Sequence, residues 1–105
     1  MNMKLKDIAQ VIRSKNSGPF ELTFDIIFKD RDMFEMICSK KIINRELISK
    51  LYNIPHEKVF SIIEFKPANA IKATIVRPVP SGNPGDTDVY GAQQHVPLLG
   101  IELEL

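Results

Sequence analysis

An α+β sandwich in which one sheet carries helices on a single face is what this sequence predicts. Three observations point there. Residues 20–26 alternate strictly between apolar and polar, and Phe28 continues the apolar face, the period of a strand with one buried face. Two short segments with helical apolar spacing follow it, each preceded by a residue that caps helices well. Two further β-rich runs, 59–65 and 70–76, then stand four residues apart, as a hairpin would.

In order along the chain, Leu5, Ile8, Ala9 and Ile12 fall at i, i+3, i+4 and i+7, which predicts a helix over residues 4–14. Arg13 and Lys15 suit its C-terminal end, and Asn16-Ser17-Gly18-Pro19 stops it. In the run from Phe20, the side chains of Phe20, Leu22, Phe24, Ile26 and Phe28 share one face, and Glu21, Thr23 and Asp25 take a partly wet one. Three phenylalanines on that face make this strand the core organiser. Met33, Phe34, Ile37 and Cys38 predict a short helix after the aspartates at 30 and 32. Asn44 caps a second one over residues 45–53, with Leu47, Ile48 and Leu51 inward. Val59–Phe65 and Ala70–Val76 read as strands joined by a turn at 66–69. Leu99, Ile101, Leu103 and Leu105 alternate with polar residues in a final strand.

Setting the first helix aside, the order is β-α-β-β, a long segment, then β. That is the plan of a ferredoxin-like sandwich with a four-stranded, mainly antiparallel sheet and helices on one face. It has an extra N-terminal helix and a long loop in place of the second helix. At 105 residues the whole chain, 1–105, is expected to form one domain.

The bulk composition excludes more than it assigns. A formal net charge of +1 leaves little to neutralise phosphates, so nucleic acid is not an expected partner. The charge is unevenly spread. Up to Arg77 fourteen basic side chains stand against nine acidic ones, and residues 78–105 carry four acids and no base. Acidic and basic parts are expected to face one another within the fold. Cys38 is the only cysteine, so no internal disulfide forms and a reducing compartment is expected. No apolar run approaches the ~18 residues of a membrane span, and the basic start lacks the apolar stretch of a signal peptide. A cytoplasmic protein away from membranes is the expectation.

The most unusual stretch is Arg77–Pro97, with four of the seven prolines and three of the five glycines. Loops beyond about 12–15 residues are uncommon in compact domains and usually functional or disordered. Val89, Tyr90, Val96, Leu98 and Leu99 would anchor this one, and Pro78, Pro80 and Pro84 stiffen it. Ser81 and Gly82, leading into Asn83-Pro84-Gly85, could place backbone N–H groups around an anion, with Arg77 and Lys72 adding charge. A plain Gly/Pro turn is the favoured alternative. Asp86, Asp88 and His95 have metal-ligand chemistry. A calcium loop fails, however, because Tyr90 stands at its third ligand position and Pro97 where its terminal Glu belongs. Aspartates that cap turns or pair with Arg13, Lys15 or Arg77 are favoured, so neither metal nor cofactor is expected. Gln93, Gln94 and His95 suit ligand hydrogen bonding or a polar subunit interface, and His95 is the one candidate acid/base. It has no paired nucleophile. His56 reads as a solvated turn residue, Cys38 as an inert buried thiol.

Three stretches, LKDIAQVIRSKNSGPFELTFDI (5–26), AIKATIVRPVPSG (70–82) and GDTDVYGAQQHVPLLGIELE (85–104), carry a resemblance over nearly the whole chain. It resembles the small uncharacterised bacterial proteins related to the ferredoxin-fold domain at the C-terminus of acyclic terpene utilisation protein A. The RPVPSG and PGD-DVYGAQQH runs are the most specific part. That domain carries Arg-Ser-Gly-Asp-Lys-Gly after its first helix. Here Arg13 and Ser14 match, and Lys15-Asn16-Ser17 replaces the next three residues before Gly18. The resemblance implies a module that accompanies enzymes of acyl-CoA or hydroxy-acid metabolism. No catalytic residue carries over.

The expected function is therefore a non-catalytic subunit or companion of a larger metabolic enzyme. Its ligand or partner surface would comprise Arg13, Ser14, Lys15 and Asn16 with Arg77, Ser81, Gly82, Asp86, Asp88, Tyr90, Gln93, Gln94 and His95. The alternative is a small lyase, hydratase or isomerase acting on an acidic metabolite. His95 would then be acid/base, Arg77 the anion clamp, and Asp86 or Asp88 would orient His95. A plain oligomerisation domain is the third reading. The Leu/Glu alternation of Leu99–Leu105 would let sheet pairing extend between chains, so a homo-oligomer is expected.

Overall fold

The computed structural model describes residues 2–18, 20–76, 98 and 100–104. Its elements are β1 (Asn2–Lys4), α1 (Leu5–Ile8), β2 (Ala9–Asn16), β3 (Glu21–Phe28), α2 (Arg31–Ser39), α3 (Arg45–Tyr52), β4 (Val59–Phe65), β5 (Ala70–Val76) and β6 (Glu102–Glu104). The architecture is α+β. A four-stranded antiparallel sheet in the order β2-β3-β5-β4 carries α2 and α3 on one face, as in a ferredoxin-like sandwich.

The strand β3 organises the core as its alternation requires. Leu22, Phe24, Ile26 and Phe28 are all buried on the helix side. Phe24 stacks on Tyr52 of α3 with ring centroids 4.7 Å apart, and Phe28 meets Phe34 of α2 at 6.2 Å. Across the sheet, Phe24 lies opposite Ser14 of β2 and Ala73 of β5, small neighbours that leave room for the ring. Phe20 is the exception to the expected face. The strand begins at Glu21, and the Phe20 side chain is 62% exposed in the preceding turn.

Both helices begin where their caps place them. Asp30 accepts a hydrogen bond from Met33 N at 2.8 Å, and Asn44 accepts one from Leu47 N at 2.8 Å, each satisfying a backbone donor that the first turn leaves open. Helix α3 closes on Asn53 in the left-handed conformation (φ 53°), which asparagine tolerates better than most residues. Asn69 does the same (φ 52°) at the end of the β4–β5 turn, and its carbonyl accepts from Phe28 N at 2.9 Å.

The N-terminal helix differs most from its expectation. It is a single turn, Leu5–Ile8, with both of those residues buried, and the chain then runs as β2. The spacing of Leu5, Ile8, Ala9 and Ile12 fits a helix, but no apolar residue extends it through Arg13–Asn16, and β2 takes up this stretch with a register shift between Ala9 and Val11. The deciding contribution is nonlocal: β3 needs a second hydrogen-bonded neighbour, and the turn at Ser17–Phe20 brings β2 onto it at little loop-closure cost. Ser17 N bonds Glu21 O at 2.9 Å, and Gly18 takes φ 105°, a conformation open to glycine.

The final strand is also displaced. Instead of joining the main sheet, β6 pairs antiparallel with β1 in a separate two-stranded sheet, Met3 opposite Leu103. Leu103 and Leu98 are buried in the same core as Leu5 and Ile8. The outer place beside β3, where a βαββαβ chain puts its last strand, is taken by β2. The sheet is thus of ferredoxin-like order, with its outer strand supplied from before the first core strand.

Candidate functional site

The face of the sheet opposite the helices is built from the other half of each strand's alternation. Registry fixes three rows across all four strands. Lys15, Thr23, Thr74 and Ser61 form a polar row. Next comes a charged row, Arg13, Asp25, Lys72 and Ile63, and beyond it an apolar row, Val11, Ile27, Ala70 and Phe65. The face therefore passes from polar through charged to apolar along the strand direction within about 14 Å, two residues per row.

Asp25 is the centre of the charged row. Its side chain is only 8% exposed, and it accepts from Arg13 Nε at 3.1 Å and faces Lys72 Nζ at 3.8 Å. The cations are far more open, with side chains 61% and 49% exposed. A buried carboxylate is tolerable only when paired, and Asp25 is paired with two cations whose side chains reach the surface. Beside it Thr23 and Thr74 share a hydroxyl hydrogen bond of 3.2 Å. The sequence expectation of a partly wet face is thus corrected at β3: Thr23 and Asp25 are both buried, which their partners allow, Thr74 for the hydroxyl and Arg13 and Lys72 for the carboxylate.

Over the charged and apolar rows lies a concavity of about 430 Å³, within the size range of small-molecule sites. Arg13, Lys15 and Lys72 contribute its cations and Asp25 its acid. Ile27, Ile63, Phe65 and Ala70 supply apolar wall. Ile63 and Phe65, with Phe60, are large apolar side chains on β4 that remain half exposed.

Of the residues expected to bind, Arg13 and Lys15 stand on this face. Ser14 and Asn16 alternate to the helix side, opposite Phe24 and Leu22, and Ser14 is buried there. Four consecutive residues of a strand cannot share one surface. Arg77, Ser81, Gly82, Asp86, Asp88, Tyr90, Gln93, Gln94 and His95 lie outside the described residues. The sequence reading did not single out Asp25, Ile63 or Phe65, and it gave Lys72 only a supporting charge. The available signal was a charged residue in mid-strand on both β3 and β5, at positions where a purely structural strand would carry a neutral side chain.

Among the described residues no group of three His, Cys, Asp or Glu side chains is placed to hold a metal, and no helix is long and apolar enough to cross a membrane. His56 is exposed in a 3-10 turn. Cys38, on α2, is half-buried. Burial first, then a hydrogen bond to Glu64 and the nearby charge of that carboxylate, pushes its thiol from 9.0 up to about 11. The thiolate is the nucleophile, so alkylation of native Cys38 by iodoacetamide should be negligible at pH 8 and rise steeply only as pH approaches 11. Rapid labelling at pH 8 under native conditions would contradict this environment. Burial likewise raises the Tyr52 phenol, in keeping with a structural role against Phe24.

The family described as Domain of unknown function (DUF4387) matches residues 5–102. The chain belongs to that family. The DUF4387 match takes in the whole four-stranded sheet, both helices and the open face with its three rows. No curated protein and no solved structure matches the chain.

Proposed function

We propose that this DUF4387 chain is a non-catalytic binding module, the small subunit or companion of a larger cytoplasmic enzyme of acyl-CoA or hydroxy-acid metabolism. The observation that carries the reading is the open sheet face, where Arg13, Lys15 and Lys72 border an apolar concavity and a buried Asp25 fixes two of the three cations. Such a surface holds an acidic ligand or partner. The segment Arg77–Pro97 follows directly on β5 in sequence and belongs to the same proposal. So does kinship with the domain of acyclic terpene utilisation protein A, which would place the chain beside a carboxylate- or thioester-handling enzyme.

Self-association is part of the reading. Among the described strands of the main sheet, β4 is an edge that exposes Phe60, Ile63 and Phe65, and apolar edges favour pairing with another chain. The test is affinity purification of the chain from its native cell at low salt, with light scattering on the product. A larger enzyme should co-purify in fixed ratio, and the Arg13→Glu/Lys72→Glu variant should lose it. Recovery of the chain as a lone monomer would overturn the companion role.

A further inference from the structure

We infer that the concavity on the open sheet face is a binding site for a small amphipathic carboxylate, an anionic head joined to a short aliphatic chain. The inference rests on the binding-module reading and specifies its ligand. Three features carry it.

The first is the prepared state of Arg13. Asp25 engages its Nε, and among the described residues no further hydrogen bond or ion pair of the guanidinium is found beyond this one. A guanidinium held by its Nε keeps a planar pair of amino groups, the geometry that recognises a carboxylate through two parallel hydrogen bonds. The second is charge. Arg13, Lys15 and Lys72 against Asp25 leave a local excess of two positive charges, which accommodates an anionic head without leaving Asp25 unpaired. The third is the step in polarity. The apolar row of Ile27, Ala70 and Phe65 begins one residue pair beyond the charged row. A ligand whose carboxylate meets Arg13 therefore lays its chain along Ile27 and Phe65, with Ile63 beside it. Neither an inorganic anion nor a neutral hydrocarbon uses both halves. In Asp25 the site has a positioning residue: it touches the cations, not the ligand.

The experiment is titration calorimetry of the full chain with acetate, butyrate, hexanoate, hexanol and hexyl phosphate. Hexanoate should bind saturably, and each added methylene should tighten binding about threefold until the wall is filled. Hexanol should bind at least about tenfold more weakly than hexanoate, because a charged hydrogen-bonded pair is lost. The surface variants Arg13→Gln and Phe65→Ser, which leave the core untouched, should weaken hexanoate by about tenfold through the head and severalfold through the chain. Asp25→Asn should weaken hexanoate but not hexanol, a split that general loss of structure would not give. No saturable binding, equal binding of hexanol and hexanoate, tighter binding of hexyl phosphate than hexanoate, or indifference to Arg13→Gln would each overturn the assignment. If hexanoate fails while a larger enzyme still co-purifies, the ligand class falls and the companion role stands. If hexanoate binds but nothing co-purifies, the reverse holds.

Discussion

Phe24→Ala should destabilise the domain by about 3–5 kcal/mol, the cost of losing a fully buried phenyl ring and leaving a cavity. Phe24 has no exposed surface, and its ring stacks on Tyr52 at 4.7 Å. Its sheet neighbours Ser14 and Ala73 are too small to move into the space. Domains of this size hold about 5–15 kcal/mol in total, so the variant should unfold at a much lower urea concentration and sit close to its limit at 37 °C. Phe24→Leu keeps most of the volume and should lose less than half as much. Urea denaturation followed by circular dichroism measures both. A loss below about 1 kcal/mol for the alanine variant would mean that Phe24 is not the centre of the core.

Removing Arg13 and Lys72 together should cost more than removing Asp25, although the ion pairs lost are the same. Arg13→Ala/Lys72→Ala leaves a carboxylate that is 8% exposed without its cations. An uncompensated buried charge costs several kcal/mol, here about 2–3 kcal/mol, since part of Asp25 still reaches water. Asp25→Asn leaves two cations that are already half exposed and that water resolvates, at about 1 kcal/mol. Equal losses would show that Asp25 is as well solvated as its partners, and that it does not brace them.

How far the sequence told this in advance differs from element to element, for physical reasons. The strand β3 is legible because its alternation is unbroken from Phe20 to Ile26, and α2 and α3 because Asp30 and Asn44 mark their first turns locally. The ends of β4 and β5 coincide with expectation because Asn69 closes a short turn between two β-rich runs. What was not legible was whatever depended on a distant partner. Ala9–Asn16 is compatible with helix or strand and becomes β2 by pairing with β3. The residues near Leu103 alternate like a strand of the main sheet but, among the described residues, pair with Asn2–Lys4.

The site followed the same rule. Arg13 and Lys15 read as the C-terminal end of a helix; they belong together because both are on one face of a strand. Asp25 was assigned to a wet face by alternation alone. Its pairing is with Arg13 and Lys72, twelve and forty-seven positions away in the chain, and no local pattern contains that information. Ser14 and Asn16 were grouped with Arg13 by adjacency, which a strand divides between opposite faces.

The central claim is that the face of the sheet opposite the helices is the working surface. It is tested most directly by following the amide signals of the isotopically labelled chain by nuclear magnetic resonance while hexanoate is added. Saturable shifts should concentrate at Arg13, Lys15, Ile27, Ile63, Phe65 and Lys72, with Arg45, Ser49 and Lys50 of α3 unmoved. Shifts confined to the helix side, or none at all at saturating ligand, would contradict it.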